Sequence, residues 1–175
     1  MRCCICGQWT TERATNSDRS TATLRLSDAW WQNCYHTCLI IVVDTNVFIG
    51  ACLGTGACSR VVAACLRGEH SPLMGAALMF EYEDVLGRPQ LFDNCRLDAG
   101  EREELLDIFL TGCRWTRIYY GWRPNLPDEG DNHLIELAVA GSASHIVTRN
   151  KRDLMSRELK FPGLELTTPE QFLQR

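Results

Sequence analysis

"LIIVVDTNVFIG", residues 39–50, sets five aliphatic residues directly before an abrupt polar triplet, Asp44, Thr45 and Asn46. The aliphatic run is rich in β-branched residues and does not alternate with polar ones, the pattern of a strand buried on both faces. A polar group right after such a strand has two readings. Asp44 can cap the helix that starts near Val47. It can also anchor a reaction, because ligand sites in open parallel sheets form outside the carboxyl ends of the strands.

Downstream, strand and helix patterns keep alternating. "VFIGACLG" and "ACSRVVAACLRG" read as short helices with apolar stripes, each ended by Gly. "SPLMGAALMFEYEDVLGRP" starts near a Pro, ends at Gly87-Arg88-Pro89, and carries Leu78, Glu81, Tyr82, Val85 and Leu86 at helical spacing. "LDAGEREELLDIFLTGC" is a second amphipathic helix with acids in its first turn, as the helix dipole favours. "RWTRIYY" is a short strand candidate. "PDEGDNHLIELAVAGSA" is a helix with an acidic start, and the strand "SHIVT" follows it. "RNKRDLMSRELK" is a basic turn and short helix, and "LELTTPEQFLQR" closes with a strand, a Pro at a helix start and a short helix. Such alternation predicts a parallel sheet of about five strands covered on both faces, an α/β three-layer α/β/α domain over residues 39–175.

Upstream the composition changes. Residues 10–28, "TTERATNSDRSTATLRLSD", are dominated by Thr, Ser, Arg and Asp and cannot bury much surface, so residues 1–38 read as a disordered N-terminal extension. Of the 10 cysteines, Cys3, Cys4, Cys6, Cys34 and Cys38 fall in this stretch. The Cys3/Cys6 and Cys34/Cys38 spacings suit a zinc knuckle, but the residues between them show no strand or turn pattern. The other five cysteines sit among apolar neighbours and read as small buried hydrophobes.

The bulk numbers set outer bounds. With 175 residues, 45% hydrophobic and 23% charged, the chain is of a size and composition for one domain with a substantial core. Lys and Arg number 18 against 22 Asp and Glu, a formal charge of -4 that leaves only a local basic patch to hold nucleic acid. No apolar stretch approaches the roughly 20 residues that span a bilayer, so no membrane association is expected. Residues 1–20 contain no apolar segment of a secretory signal. The expected compartment is the cytoplasm, where thiols stay reduced.

The polar residues at strand ends carry the chemistry. Asp44 ends the first strand, and Thr148 and Asn150 end the "SHIVT" strand. Asp128 and Asp131 begin the helix feeding that strand, and Glu81 lies on the helix after the second strand. Each has a plainer reading: a cap for Asp44, helix-start acids for Asp128 and Asp131, a solvated face for Glu81, a turn residue for Asn150. Taken together they converge on one sheet edge. Clustered carboxylates repel, and a hard divalent cation, Mg²⁺ or Mn²⁺, supplies the counter-charge through oxygen ligands. Such ions lower the pKa of water and clamp a phosphodiester for in-line attack. Arg149, Lys151 and Arg152 would then contact phosphates.

In order and spacing, "IVVDTNVFIG", "MFEYEDVLGRP", "PDEGDNHLIELAVAGSASHIVTRNKRDL" and "ELTTPEQFL" together resemble the PIN-domain ribonucleases, most of all the branch forming the toxin half of toxin–antitoxin pairs. The resemblance implies an endoribonuclease with acids around Mg²⁺ or Mn²⁺ that hydrolyses phosphodiester bonds in single-stranded RNA. It also implies a cognate antitoxin partner and a possible homodimer. Carried over by position, Asp44, Glu81 (rather than Glu83) and Asp131 match the family's metal-binding acids, and Asp128 leads the third motif. Asn46 matches the residue that steadies the first acid, and Thr148 the hydroxyl two residues before the fourth.

The fourth acid position is a departure: this chain has Thr148-Arg149-Asn150 where T-x-D is usual, with Asp153 as a trailing acid. An amide keeps an oxygen ligand and loses a charge, so a second metal would be weakened. The family pattern begins almost at its first strand, and Leu39 stands where a starting Met is usual. A UUG start codon is translated as Met but written as Leu, so the expectation is that the native protein begins there and residues 1–38 come from an overlong gene assignment. Two alternatives stay open: a PIN-like module with weakened catalysis that acts through a partner, and, further behind, an aspartyl-nucleophile phosphohydrolase. The latter would need a second acid where Asn46 stands.

Overall fold

The computed structural model describes residues 38–54, 56–121, 131–155 and 161–174. The expected extension, its cysteine pairs before Cys38 and Asp128 therefore lie outside the described residues. Five parallel strands form the sheet: β1 (Leu39–Val43), β2 (His70–Met74), β3 (Arg114–Trp115), β4 (His145–Val147) and β5 (Glu165–Thr167), in the order β3-β2-β1-β4-β5. The last three residues of β1 and all of β4 are buried, as a central strand covered on both faces requires. The order reverses between β1 and β4, because β1 connects to β2 on one side while the chain returns from β3 to β4 on the other. That switch point opens a crevice at the carboxyl ends of β1 and β4.

The connections supply the helices. Between β1 and β2 lie α1 (Thr45–Cys52) and α2 (Gly56–Leu66). α3 (Ala76–Leu86), a 3-10 turn over Pro89–Phe92 and α4 (Ala99–Thr111) lead to β3. α5 (Asn132–Ala140) precedes β4, α6 (Lys151–Met155) joins β4 to β5, and α7 (Pro169–Phe172) ends the chain. α1 packs on α2 and α3, α2 on α4 and α7, while α5 lies against β1, β2 and β4, giving the expected three layers. Among the described residues no single helix is long and apolar enough to cross a membrane.

Local chemistry places the helix starts. Asp98 and Glu101 exchange side-chain bonds with each other's backbone N–H at 2.9 Å, a capping box that begins α4. Thr168 and Gln171 do the same for α7, with Pro169 in its first turn. Two departures from the sequence reading have simple causes. Residues 70–74 form β2, and the helix starts only at Ala76; Pro72 is tolerated in the strand because β3 pairs only with Leu73 and Met74, leaving β2 an open edge there. "RWTRIYY" contributes only Arg114–Trp115, an exposed edge strand with one neighbour.

An aromatic cluster holds α3 in place. Tyr82 lies 5.0 Å from Phe48 of α1 and 6.2 Å from Phe109 of α4, centroid to centroid, and its hydroxyl donates to the Val43 carbonyl at 3.0 Å. That bond ties the helix carrying Glu81 to the last residue of β1. Cys52, Cys58 and Cys65 are buried and Cys95 and Cys113 half-buried. Burial pushes the Cys52 thiol up to about 11 and those of Cys65 and Cys113 to about 12, so these sulfurs pack rather than react.

Candidate active site

Asp44 leaves β1 with its backbone still in the ladder: its N–H donates to the Val147 carbonyl at 3.0 Å. It is also the N-cap of α1, with Oδ1 accepting from the Asn46 N–H at 3.3 Å. Capping and site-building are therefore not exclusive here. Its other oxygen carries the stronger bonds, accepting from Asn46 Nδ2 at 2.7 Å and from the Thr148 hydroxyl at 2.6 Å. Thr148 is fully buried, and its oxygen also accepts from Asn46 Nδ2 at 3.2 Å and from the Asn150 N–H at 2.9 Å. Asn46 completes the corner by accepting the Arg149 N–H at 3.0 Å. The D-T-N turn after β1 and the T-R-N turn after β4 are thus one hydrogen-bonded unit across the switch point.

Thr45 links this corner to α3. Its hydroxyl lies 2.6 Å from Glu81 Oε1 and 3.1 Å from Asp44 Oδ1. One hydroxyl carries one proton, and the shorter contact takes it. The contact with Asp44 is then satisfied when Asp44 holds a proton of its own, or when a cation draws both oxygens together. The electrostatics point the same way. Burial raises the Asp44 carboxyl above its ordinary value of 3.8, with the nearby Glu81 charge adding to the rise against bonds from Thr148, Asn46 and Thr45. Burial also pushes Glu81 up, but bonds from His133 and Thr45 and the charges of His133 and Arg88 more than offset it, and Glu81 lies below its ordinary 4.5. Two carboxyls driven apart in this way mark a candidate functional pair.

The remaining expected residues fall around this pair. Asp131 occupies the N-cap position of α5, half-buried and without a side-chain cap bond, two residues before His133, whose Nε2 lies 2.9 Å from Glu81 Oε2. Asn150 is exposed and reaches the corner through its backbone. Arg149 and Arg152 are exposed, whereas Lys151 is half-buried with its ammonium 3.3 Å from Gln171 Oε1. The Asp153 side chain lies outside the described residues. Thr45 and His133 were not among the expected site residues. Thr45 stood in plain view between Asp44 and Asn46. The signal for His133 is α5 itself, buried throughout Asn132–Ala138, where a polar side chain needs a partner.

The donor set has a definite character. Oxygen atoms of Asp44 and Glu81 are linked through one hydroxyl, the chemistry a hard divalent cation takes. Among the described residues no group of three or more His, Cys, Asp and Glu is arranged to hold a metal. The fit therefore rests on the Asp44–Glu81 pair.

At the switch point, then, a buried acid is bonded to the threonine after the neighbouring strand and linked through a hydroxyl to a second acid on α3. The family model described as PIN domain matches residues 40–152, and the chain belongs to that family. Its fold is similar to a chain in the crystal structure of VapBC2 from Rickettsia felis bound to a DNA fragment from their promoter, with a TM-score of 0.51 and 13% identity over 74% of this chain and 98% of that one. No curated protein matches the chain. PIN domains are generally nucleases, and these typically use divalent metals.

Proposed function

We propose that this protein is an Mg²⁺- or Mn²⁺-dependent endoribonuclease that hydrolyses RNA phosphodiester bonds, and that it is the toxin of a cytoplasmic toxin–antitoxin pair. The observation that carries the reading is the Thr45 hydroxyl set between Asp44 and Glu81, which brings two carboxylates to the switch point of the sheet. Asp44, Glu81 and Asp131 would hold the ion, and the motif resemblance adds Asp128 and Asn150 as supporting residues. A divalent ion there supplies a water nucleophile at neutral pH and charge neutralisation at phosphate. The chain's own contribution is orientation. Asn46 and Thr148 fix both the position and the free lone pairs of Asp44. Arg149 and Arg152, exposed beside this corner, would meet RNA phosphates, with Lys151 joining once it leaves Gln171.

The toxin reading draws on the motif resemblance, which implies an antitoxin covering the acidic site and a homodimer. A second reading, a PIN module with weakened catalysis acting through its partner, is favoured by Asn150, where an amide replaces the fourth acid. Asn46, bonded to Asp44 Oδ2, counts against an aspartyl-nucleophile phosphohydrolase, which needs an acid there. An RNA cleavage assay with Mn²⁺, comparing wild type with Asp44→Ala, separates these readings. Cleavage that needs metal and is lost in the variant supports the nuclease. Equal activity in both proteins removes it, and inactivity of the wild type leaves the binding module.

A further inference from the structure

Glu81 is approached at both carboxylate oxygens. Thr45 donates to Oε1 from the turn after β1, and His133 Nε2 lies 2.9 Å from Oε2, from the first turn of α5. The second contact is close but not aligned as a hydrogen bond, and both of its atoms are shut off from solvent. The His133 side chain is 10% exposed and the Glu81 side chain 34%. An ionised carboxylate only accepts, so the contact requires a proton on Nε2. In α5, Leu134, Ile135 and Leu137 are apolar and fill the core, while Asn132 and Glu136 are buried polar neighbours of His133. An aliphatic residue at position 133 would leave Glu81 Oε2 buried without this polar contact.

We infer that His133 is a positioning residue: its imidazole, set against Oε2, holds the Glu81 carboxylate against Thr45, so that its remaining lone pairs can serve an ion shared with Asp44. Three side-chain torsions otherwise leave a glutamate carboxylate free to swing, and fixing it beforehand removes that ordering cost from metal binding. The inference rests on the metal-site reading, but it concerns ion binding and does not require that RNA be the substrate.

The test uses the full chain, freed of metal, with wild type, His133→Leu and His133→Gln compared for Mn²⁺ affinity by calorimetry and for RNA cleavage. Glutamine keeps an N–H donor at about the reach of Nε2, and leucine removes it. The expected result is about 10- to 100-fold weaker Mn²⁺ binding in His133→Leu, the usual loss when a ligand's outer partner is removed. It should come with a lower kcat, an unchanged KM for RNA, and most of the loss restored in His133→Gln. Wild-type Mn²⁺ affinity in His133→Leu overturns the inference, as does equal damage in both variants when both melt like wild type. Should His133→Leu fail to fold, the imidazole ¹⁵N signals of wild type and Glu81→Gln decide: a shift at Nε2 supports the contact, and none overturns it. If the Mn²⁺ results hold while wild type cuts no RNA, the positioning role stands and the ribonuclease reading falls.

Discussion

Asp44 and Glu81 share a hydroxyl yet are pushed in opposite directions, and their stability effects oppose each other accordingly. Asp44, raised by burial, contributes stability that is present below its ordinary 3.8 and is lost as pH rises through its folded value. In EDTA at pH 7, Asp44→Asn should therefore melt at or above the wild-type temperature, with the advantage shrinking toward pH 4, while metal-dependent cleavage disappears. Glu81, held low, contributes stability present above its ordinary 4.5 and lost as pH falls through its folded value. Glu81→Gln should destabilise at pH 7, and the deficit should close in acid. Paired thermal melts from pH 4 to 8 read both slopes; two variants that respond alike would contradict the opposed environments. At Asn150, restoring the charge with Asn150→Asp should tighten Mn²⁺ binding and raise the cleavage rate. Unchanged values would show that this position does not limit the second ion.

At the scale of elements, the site depends on how α3 and α5 are seated. α3 is tied to the end of β1 by the Tyr82 hydroxyl on the Val43 carbonyl. Tyr82→Phe removes that donor and should cost about 1 kcal/mol, with a loss in Mn²⁺ affinity larger than so small a destabilisation would produce by unfolding. α5 is seated by close approach at its end. A Cβ on Gly141 would come 2.1 Å from Leu73 Cδ1, and Leu73 is 1% exposed in the core. Gly141→Ala should therefore destabilise by about 1–3 kcal/mol through overpacking, measured as a lower denaturant midpoint at unchanged slope. The helix boundaries themselves were legible where capping chemistry is local, as at Asp98–Glu101 and Thr168–Gln171. The extent of β2 was not, because "SPLM" differs from a helix start only in its partners, and those are 31 residues away in β1 (70 − 39).

For the whole molecule, an ion that binds only the folded state stabilises it by mass action. Mn²⁺ at 100 times its Kd should add about 2.7 kcal/mol, reversed by EDTA and missing in Asp44→Asn. A melting temperature insensitive to Mn²⁺ would remove the metal from the account of this site. An antitoxin that covers the same acids should make the protein harder to load with Mn²⁺ when the two are co-purified.

Periodicity, the unbroken aliphatic run of β1 and the repeated alternation of strand and helix were enough to determine a parallel three-layer domain, because short β-branched runs alternating with amphipathic segments need a sheet covered on both faces. The motif order was enough to bring Asp44, Glu81 and Thr148 forward as candidates. What only the tertiary structure decided is who touches whom. The Thr45 hydroxyl bridges two acids 37 positions apart in the chain (81 − 44), and His133 faces the same carboxylate from the opposite side. Neither residue belongs to a spacing pattern of its own. Side-chain direction at a strand's end is set by the helices packed above it, and that packing, anchored here by Phe48, Tyr82 and Phe109, exists only once the chain is folded.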